Sequence, residues 1–534
     1  MKKISPQSLH DMLLDGQEIA LADVREISPY SKGHLLYAIP LPLGRLELRV
    51  ADLIPRKNTR IVLCDKDGKL AERAAESMTA LGYTNVAVLD GGVIRWHAAG
   101  FEIFSGINVP SKAFGEFIEH DSGTPSVSPE ELKLMMDNSE NMVILDSRPI
   151  EEYQQISIPN GICCPGAELV YRVYDMAPST DTTVVVNCAG RTRSIIGAQS
   201  LINAGIPNKV VALRNGAMGW IIAGNKAAHG KTDHAPAPTE NGLEKAKASA
   251  ARVKNRFGIK KIDDKQLNIW RNERDQRSLF IMDVRTREEY EEGHIFDSIH
   301  APGGQFIQTT DLYVGTRNAR IVLVDSDGVR ATMTASWLIQ MGYEDVYVLE
   351  EGLSTPNLKT GRRQTPVLGL AEAHYSAVTP TELERMLDEQ RTIVIDLSPS
   401  PVYRKGHLPN AWFASRMRLQ EAFDSLPSAD IFVLTSTDGI IAQLAAHDAS
   451  KLTSTPVRVL EGGNEAWKKA GLRLKKGMKN LANEPDDFWQ IPFDPNRSDG
   501  KTIKEAMQTY LSWEVDLIKQ IERDGTTCFL SFPK

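Results

Sequence analysis

The stretch VVVNCAGRTRSIIGAQSLINAG, Val184 to Gly205, reads as strand, tight loop and helix. The apolar run Val184-Val185-Val186 leads through Asn187 to Cys188. The loop is Cys188-Ala189-Gly190-Arg191-Thr192-Arg193. Ser194 then opens a helix whose apolar positions include Ile195, Ile196, Leu201 and Ile202, and Gly205 ends it. A strand passing straight into a helix is the building step of a parallel sheet covered by helices on both faces. In such a sheet ligands bind beyond the carboxyl ends of the strands, so the Cys188 sulfur is expected at a binding position.

Working outward, the same grammar recurs. An apolar strand ending in Asp occurs as LADVR (Asp23), ILDSR (Asp146), IMDVR (Asp283) and VIDLS (Asp396), with spacings of 123, 137 and 113 residues. A second apolar strand follows each, ending at Cys64, Cys188, Val324 and Thr435, with spacings of 124, 136 and 111. Two markers that move together indicate whole duplicated domains, and the period is far too long for a solenoid. Ser5-Pro6, Ser128-Pro129 and Thr379-Pro380 each set an N-cap before a proline at the first helical position. Gly-His recurs at Gly33-His34, Gly293-His294 and Gly406-His407, and a late glycine precedes Trp96, Trp220 and Trp467.

The expected architecture is α/β: four tandem small parallel-sheet domains with helices on both faces, plus a C-terminal helical extension. The boundaries are 1–108, 109–228, 259–368 and 369–478 for the domains, 229–258 for a linker and helix, and 479–534 for the extension. Within 229–258, His229–Pro238 reads as linker and Glu240–Arg256 as a surface helix. In the extension, Ile503, Met507, Tyr510, Leu511, Leu517, Ile518 and Ile521 make one helical face that is expected to dock on a neighbouring domain.

Composition narrows the function. The chain has 534 residues, 62 Lys+Arg against 69 Asp+Glu, and a net charge of −7. No basic field therefore draws it to nucleic acid or anionic lipid. No apolar run is long enough to span a membrane, and the start Met-Lys-Lys-Ile-Ser-Pro-Gln lacks the apolar core of a secretory signal. Five cysteines cannot form a disulfide framework in a chain of this length, so a reducing, cytoplasmic setting is expected.

The loop after Cys188 carries the chemistry. Backbone N–H groups of a short loop and a helix N-terminus converge there, and such a nest favours an anion. A free thiol of pKa near ~8.5 is only about 3% ionised at pH 7, and stabilising its anion by two pKa units takes about 2.7 kcal/mol. Inward amides, the helix dipole and the charges of Arg191 and Arg193 suffice for that.

The four units resemble rhodanese (sulfurtransferase) domains over nearly all of residues 1–475. The likeness rests on the Asp-x-Arg strand ends, the Gly-His segments, the six-residue cysteine loop and the late Gly–Trp feature. It implies a sulfurtransferase in which Cys188 carries a persulfide, with Ala189, Gly190, Arg191, Thr192, Arg193 and Ser194 cradling the substrate. The implied partners are a small-molecule sulfur donor such as thiosulfate and a thiol or cyanide acceptor, or a protein sulfur acceptor; no cofactor, metal, nucleic acid or membrane is implied. Arg191 and Arg193 on either side of Thr192 suggest a small anionic donor. The rival phosphatase and arsenate reductase chemistry needs Cys-x5-Arg; here Ser194 stands six after Cys188 and Arg193 comes one too early. A non-turnover persulfide carrier or scaffold is the alternative, because three of the four loops have lost the pattern.

Those three loops are Cys64-Asp65-Lys66-Asp67-Gly68, Val324-Asp325-Ser326-Asp327-Gly328 and Thr435-Ser436-Thr437-Asp438-Gly439. Cys64 is a candidate second site, weakened because Asp65 and Asp67 place negative charge beside it. The other two have no thiol at this place. The resemblance implies that Arg25, Arg148 and Arg285 anchor ion pairs to the Asp two residues before, with substrate contact as the alternative; the fourth unit carries Ser398 instead. Arg172 is a candidate to reach the site, and Trp220 is expected in the core. Cys163 and Cys164 replace the Gly-His region and are read as packed thiols, with a relay role as the alternative. With His229 and His234 in the linker they do not make a metal site. Cys528 is too isolated to interpret.

Overall fold

The computed structural model describes residues 1–350, 352–353, 357–389, 391–495, 497 and 499–533. It contains four five-stranded parallel sheets, each with the same spatial strand order: first, fifth, fourth, second, third. In the second domain the strands are Ser126–Val127, Met142–Asp146, Gly161–Cys163, Thr183–Asn187 and Val210–Leu213. The two central strands read as unbroken apolar runs because helices cover both faces. Asp146 pairs in register with Asn187, so Cys188 leaves the sheet at its carboxyl edge beside the Asp146 strand.

The recurrent signals have local causes. Ser128 accepts the Glu131 N–H while Glu131 returns a bond to the Ser128 N–H, closing a capping box over Pro129–Asp137. His34, His294 and His407 stack on Tyr30, Tyr290 and Tyr403 at 4.0, 3.9 and 3.9 Å. The Gly-His pairs are thus packing features. Trp96, Trp220 and Trp467 donate to backbone carbonyls six residues on while their rings fill the cores.

Between the domains the fold is tighter than the sequence suggests. One apolar cluster runs from Leu145, Val186 and Leu201 of the second domain to Phe280, Leu323 and Trp337 of the third. Trp337 donates to Ser200 Oγ at 2.9 Å across that boundary. Gly166 and Gly304 approach so closely that a Cβ on Gly304 would lie 2.6 Å from the Gly166 nitrogen. The helix read as a surface helix spans Glu240–Phe257 and buries Ala246, Ser249, Ala250, Val253 and Phe257. It lies against helix Glu168–Met176 of the second domain and helix Val329–Gln340 of the third. Its small residues permit that close approach, and its three lysines and two arginines mask the buried stripe in the sequence. The segment read as linker is also held: Asp233 O accepts the Cys163 N–H and the Ala235 N–H donates to Cys163 O, extending the edge of the second sheet.

Helix Val109–Ser122 is buried along most of its length, including Lys112 and Glu116. It packs between helix Thr192–Asn203 and the C-terminal helix Ile503–Asp524. The C-terminal helix buries Ala506, Met507, Leu511, Glu514, Leu517 and Ile521, whereas Ile503 is exposed. No described helix is long and apolar enough to cross a membrane.

Candidate active site

Cys188 is 2% exposed and sits at the floor of a partly open cavity. Its loop is pinned from behind. Cys188 O accepts the Ala217 N–H at 2.8 Å, and Ala189 O accepts the Met218 N–H at 2.9 Å. Gly216 permits this: its φ is +51°, and a Cβ there would meet Cys188 O at 2.3 Å. The loop's front is free. The N–H groups from Ala189 to Ser194 have no acceptor among the described residues. Helix Thr192–Asn203 begins within this loop, so its first-turn amides have no partner inside the helix. Sγ donates weakly to Ser194 Oγ at 3.6 Å, and Ser194 Oγ in turn donates to Arg191 O at 2.7 Å.

The two loop arginines are not free cations. Arg191 makes a two-point pair with Glu116, Nε to Oε1 at 2.7 Å and one terminal nitrogen to Oε2 at 2.8 Å, and also pairs with Glu119. Arg193 grips Glu152 at 2.8 and 2.6 Å. Burial works against the charge on both arginines, but the carboxylates outweigh it and hold them protonated. Burial likewise pushes Glu152 up, and Arg193 overrides it and leaves the carboxyl below its usual range. The charge that the sequence offered to an anionic donor is therefore largely spent on protein carboxylates.

The remaining candidates separate from the site. Arg148 is fully buried and holds Asp146 at 2.8 and 2.6 Å, and it also donates to Ile156 O. Arg25 and Arg285 repeat this with Asp23 and Asp283, donating to the carbonyls of Gly33 and Gly293. Arg172 pairs with Glu168 at 2.7 Å and is absent from the cavity wall. Cys163 and Cys164 are buried away from the cavity, and burial pushes the Cys163 thiol up to about 12. Cys528 is exposed.

In the first domain, Cys64 is 0% exposed, and burial, then Asp23, pushes its thiol well above the ordinary range. Asp65 occupies the nest itself, accepting the N–H groups of Gly68 at 2.5 Å and Leu70 at 2.8 Å. Asp325 does the same in the third domain, accepting from Gly328 at 2.7 Å and Ala331 at 3.0 Å.

The far wall of the Cys188 cavity comes from elsewhere in the chain. Helix Val109–Ser122 supplies Lys112, the third domain supplies Gln305 and Gln308, and the C-terminal extension supplies Trp489, Phe493, Tyr510 and Glu514. Glu514 Oε1 accepts from Tyr510 at 3.0 Å, Lys112 at 3.3 Å and Thr192 at 3.3 Å, and Lys112 also bonds Tyr510. Of these, only Tyr510 stood out in the sequence, and as a packing residue.

The Rhodanese-like domain model matches residues 5–99, 128–223, 266–355 and 379–470. The crystal structure of a thiosulfate sulfurtransferase from Pseudomonas aeruginosa is 43% identical, covers 100% of both chains and superposes with a TM-score of 0.94. A sulfurtransferase of Allochromatium vinosum is 27% identical over 103 residues, 19% of this chain and 94% of its own. The putative sulfur carrier protein YrkF of Bacillus subtilis is 29% identical over 94 residues, 18% of this chain and 50% of its own. With four matched units on four sheets of one topology, the chain belongs to the rhodanese family as a tandem of four rhodanese-like domains.

Proposed function

We propose that the chain is a sulfurtransferase with one working centre, the Cys188 loop of residues 109–228, and that the domains at 1–108, 259–368 and 369–478 do no sulfur chemistry. The observation that carries this is the open nest: a thiol on a cavity floor beside loop amides without acceptors. The family and the full-length likeness make sulfur transfer the coarse activity.

The chemistry splits one transfer into two displacements. The Cys188 thiolate attacks the outer sulfur of thiosulfate; the Sγ–S bond forms, the S–S bond of the donor breaks, and sulfite leaves with the electron pair. The persulfide is anionic, and loop amides with a helix N-terminus suit that charge. An acceptor then takes the outer sulfur and Cys188 leaves as thiolate. Cyanide would give thiocyanate, and a thiol, on a small molecule or a protein, would give a hydropersulfide. A reducing cytoplasm suits a centre that must stay a free thiol.

The test is intact mass under non-reducing conditions after treatment with thiosulfate. The expected result is a gain of one sulfur, mapped to Cys188. No adduct with thiosulfate or any other sulfane donor would reject the reading. Three degenerate loops favour a carrier as the second reading; a protein that loads once but does not cycle with cyanide or thiols would be that carrier.

A further inference from the structure

The wall facing Cys188 has a charge balance that the family chemistry does not require. Lys112, Arg191 and Arg193 are its cations; Glu116 and Glu119 on Arg191, Glu152 on Arg193, and Glu514 on Lys112 are the carboxylates that pair them. Three positive charges thus meet four negative ones. Beyond the loop amides, the described residues of the cavity leave no cation over for a second anion.

Glu514 is the odd carboxylate. It is 2% exposed, and three donors converge on its Oε1, yet its buried Oε2 has no hydrogen-bond partner among the described residues. That oxygen faces the cysteine loop: a Cβ on Gly190 would lie 3.0 Å from it. Gln308 Oε1, on the same cavity, is likewise buried without a donor. Two orphaned acceptors in one wall call for a ligand that donates, since a buried acceptor left unpaired is costly. Trp489 and Tyr510, with ring centroids 5.9 Å apart, add aromatic faces to the same wall. Such faces attract cations and repel anions.

We infer that the sulfur acceptor is a low-molecular-weight aminothiol, whose ammonium or amine N–H groups bond Glu514 Oε2 while its sulfur faces the Cys188 persulfide. This rests on the persulfide reading above and adds the class of acceptor. In the step, the acceptor sulfur bonds the outer sulfur and the Sγ–S bond breaks. Its electron pair returns Cys188 to thiolate, and the thiol proton leaves on the new hydropersulfide. Glu514 is a specificity-determining residue here: it binds the end of the acceptor that does not react.

The experiment uses the full chain, thiosulfate as donor, and three acceptors of similar size compared at equal thiolate concentration: cysteamine, 2-mercaptoethanol and 3-mercaptopropionate. Cysteamine is expected to exceed 3-mercaptopropionate in kcat/KM by about tenfold or more, mainly through KM, as one charge-assisted hydrogen bond implies. In Glu514→Gln the ratio should fall to within about threefold, since a neutral amide keeps the shape and loses the charge. A flat series, or preference for the carboxylate acceptor, overturns the inference, and an unchanged ratio in Glu514→Gln overturns the assignment to that residue. Should the variant fail to fold, the wild-type series decides alone. Loading of wild-type Cys188 is read separately by mass. Full loading with a flat series sinks only the acceptor class, whereas absent loading sinks the persulfide reading and this inference with it.

Discussion

Cys64 is the last residue of its domain's fourth strand and Cys188 directly follows the fourth strand of the second domain; the two loops begin alike and diverge at the next residue. After Cys64 comes Asp65, whose carboxylate bonds the amides of Gly68 and Leu70. After Cys188 comes Ala189, and the amides of that loop remain unclaimed among the described residues. The first domain carries a built-in anion where the second leaves room for one. An anion nest is a property of backbone geometry, but its availability is decided by one side chain. Asp325 shows that the filled state arises without any cysteine, so filling the nest stabilises the loop in its own right.

Four substitutions test this difference between the loops. Cys188→Ser should remove sulfur transfer by at least about 10³-fold, because a hydroxyl cannot carry the persulfide; thiocyanate formation measures it, with circular dichroism to show an intact fold. Arg148→Met imposes on the second domain the loss that Ser398 represents in the fourth. There Asp396 relies instead on the Ser398 N–H and Asn464. Leaving Asp146 buried without its fully buried partner should cost about 3–5 kcal/mol in chemical denaturation. Ala189→Asp should convert the open nest to the filled one and lower kcat/KM for thiosulfate by about 10²-fold, the scale of losing anion-binding donors. Asp65→Ala should do least: Cys64 stays buried with its thiol pushed up, so intact mass should still show a single added sulfur. A second adduct on Cys64 would show that Asp65 alone silences the first domain.

Much of the fold was legible because duplication prints the same physics repeatedly. Asp23, Asp146, Asp283 and Asp396 mark strand ends, and the Gly-His and Gly–Trp features mark packing points common to the copies. The cysteine loop was legible because strand, loop and helix are contiguous. The rest of the cavity was not. Lys112, Gln308 and Glu514 reach it from three distant segments, and no spacing rule links residues that only tertiary packing brings together. Arg191 and Arg193 read as free charge because their partners Glu116, Glu119 and Glu152 lie outside the loop. Glu514 falls among the apolar positions of its helix, a buried acid on a face that periodicity assigns to packing.

The near-contact of Gly166 and Gly304 joins the second and third domains backbone to backbone. A side chain on Gly304 would run into the Gly166 backbone, so the third domain fits the second like a keyed part. The third domain also supplies Gln305 and Gln308 to the cavity of its neighbour, which would lose a wall without it. Excising the second domain alone would therefore discard part of the pocket around Cys188.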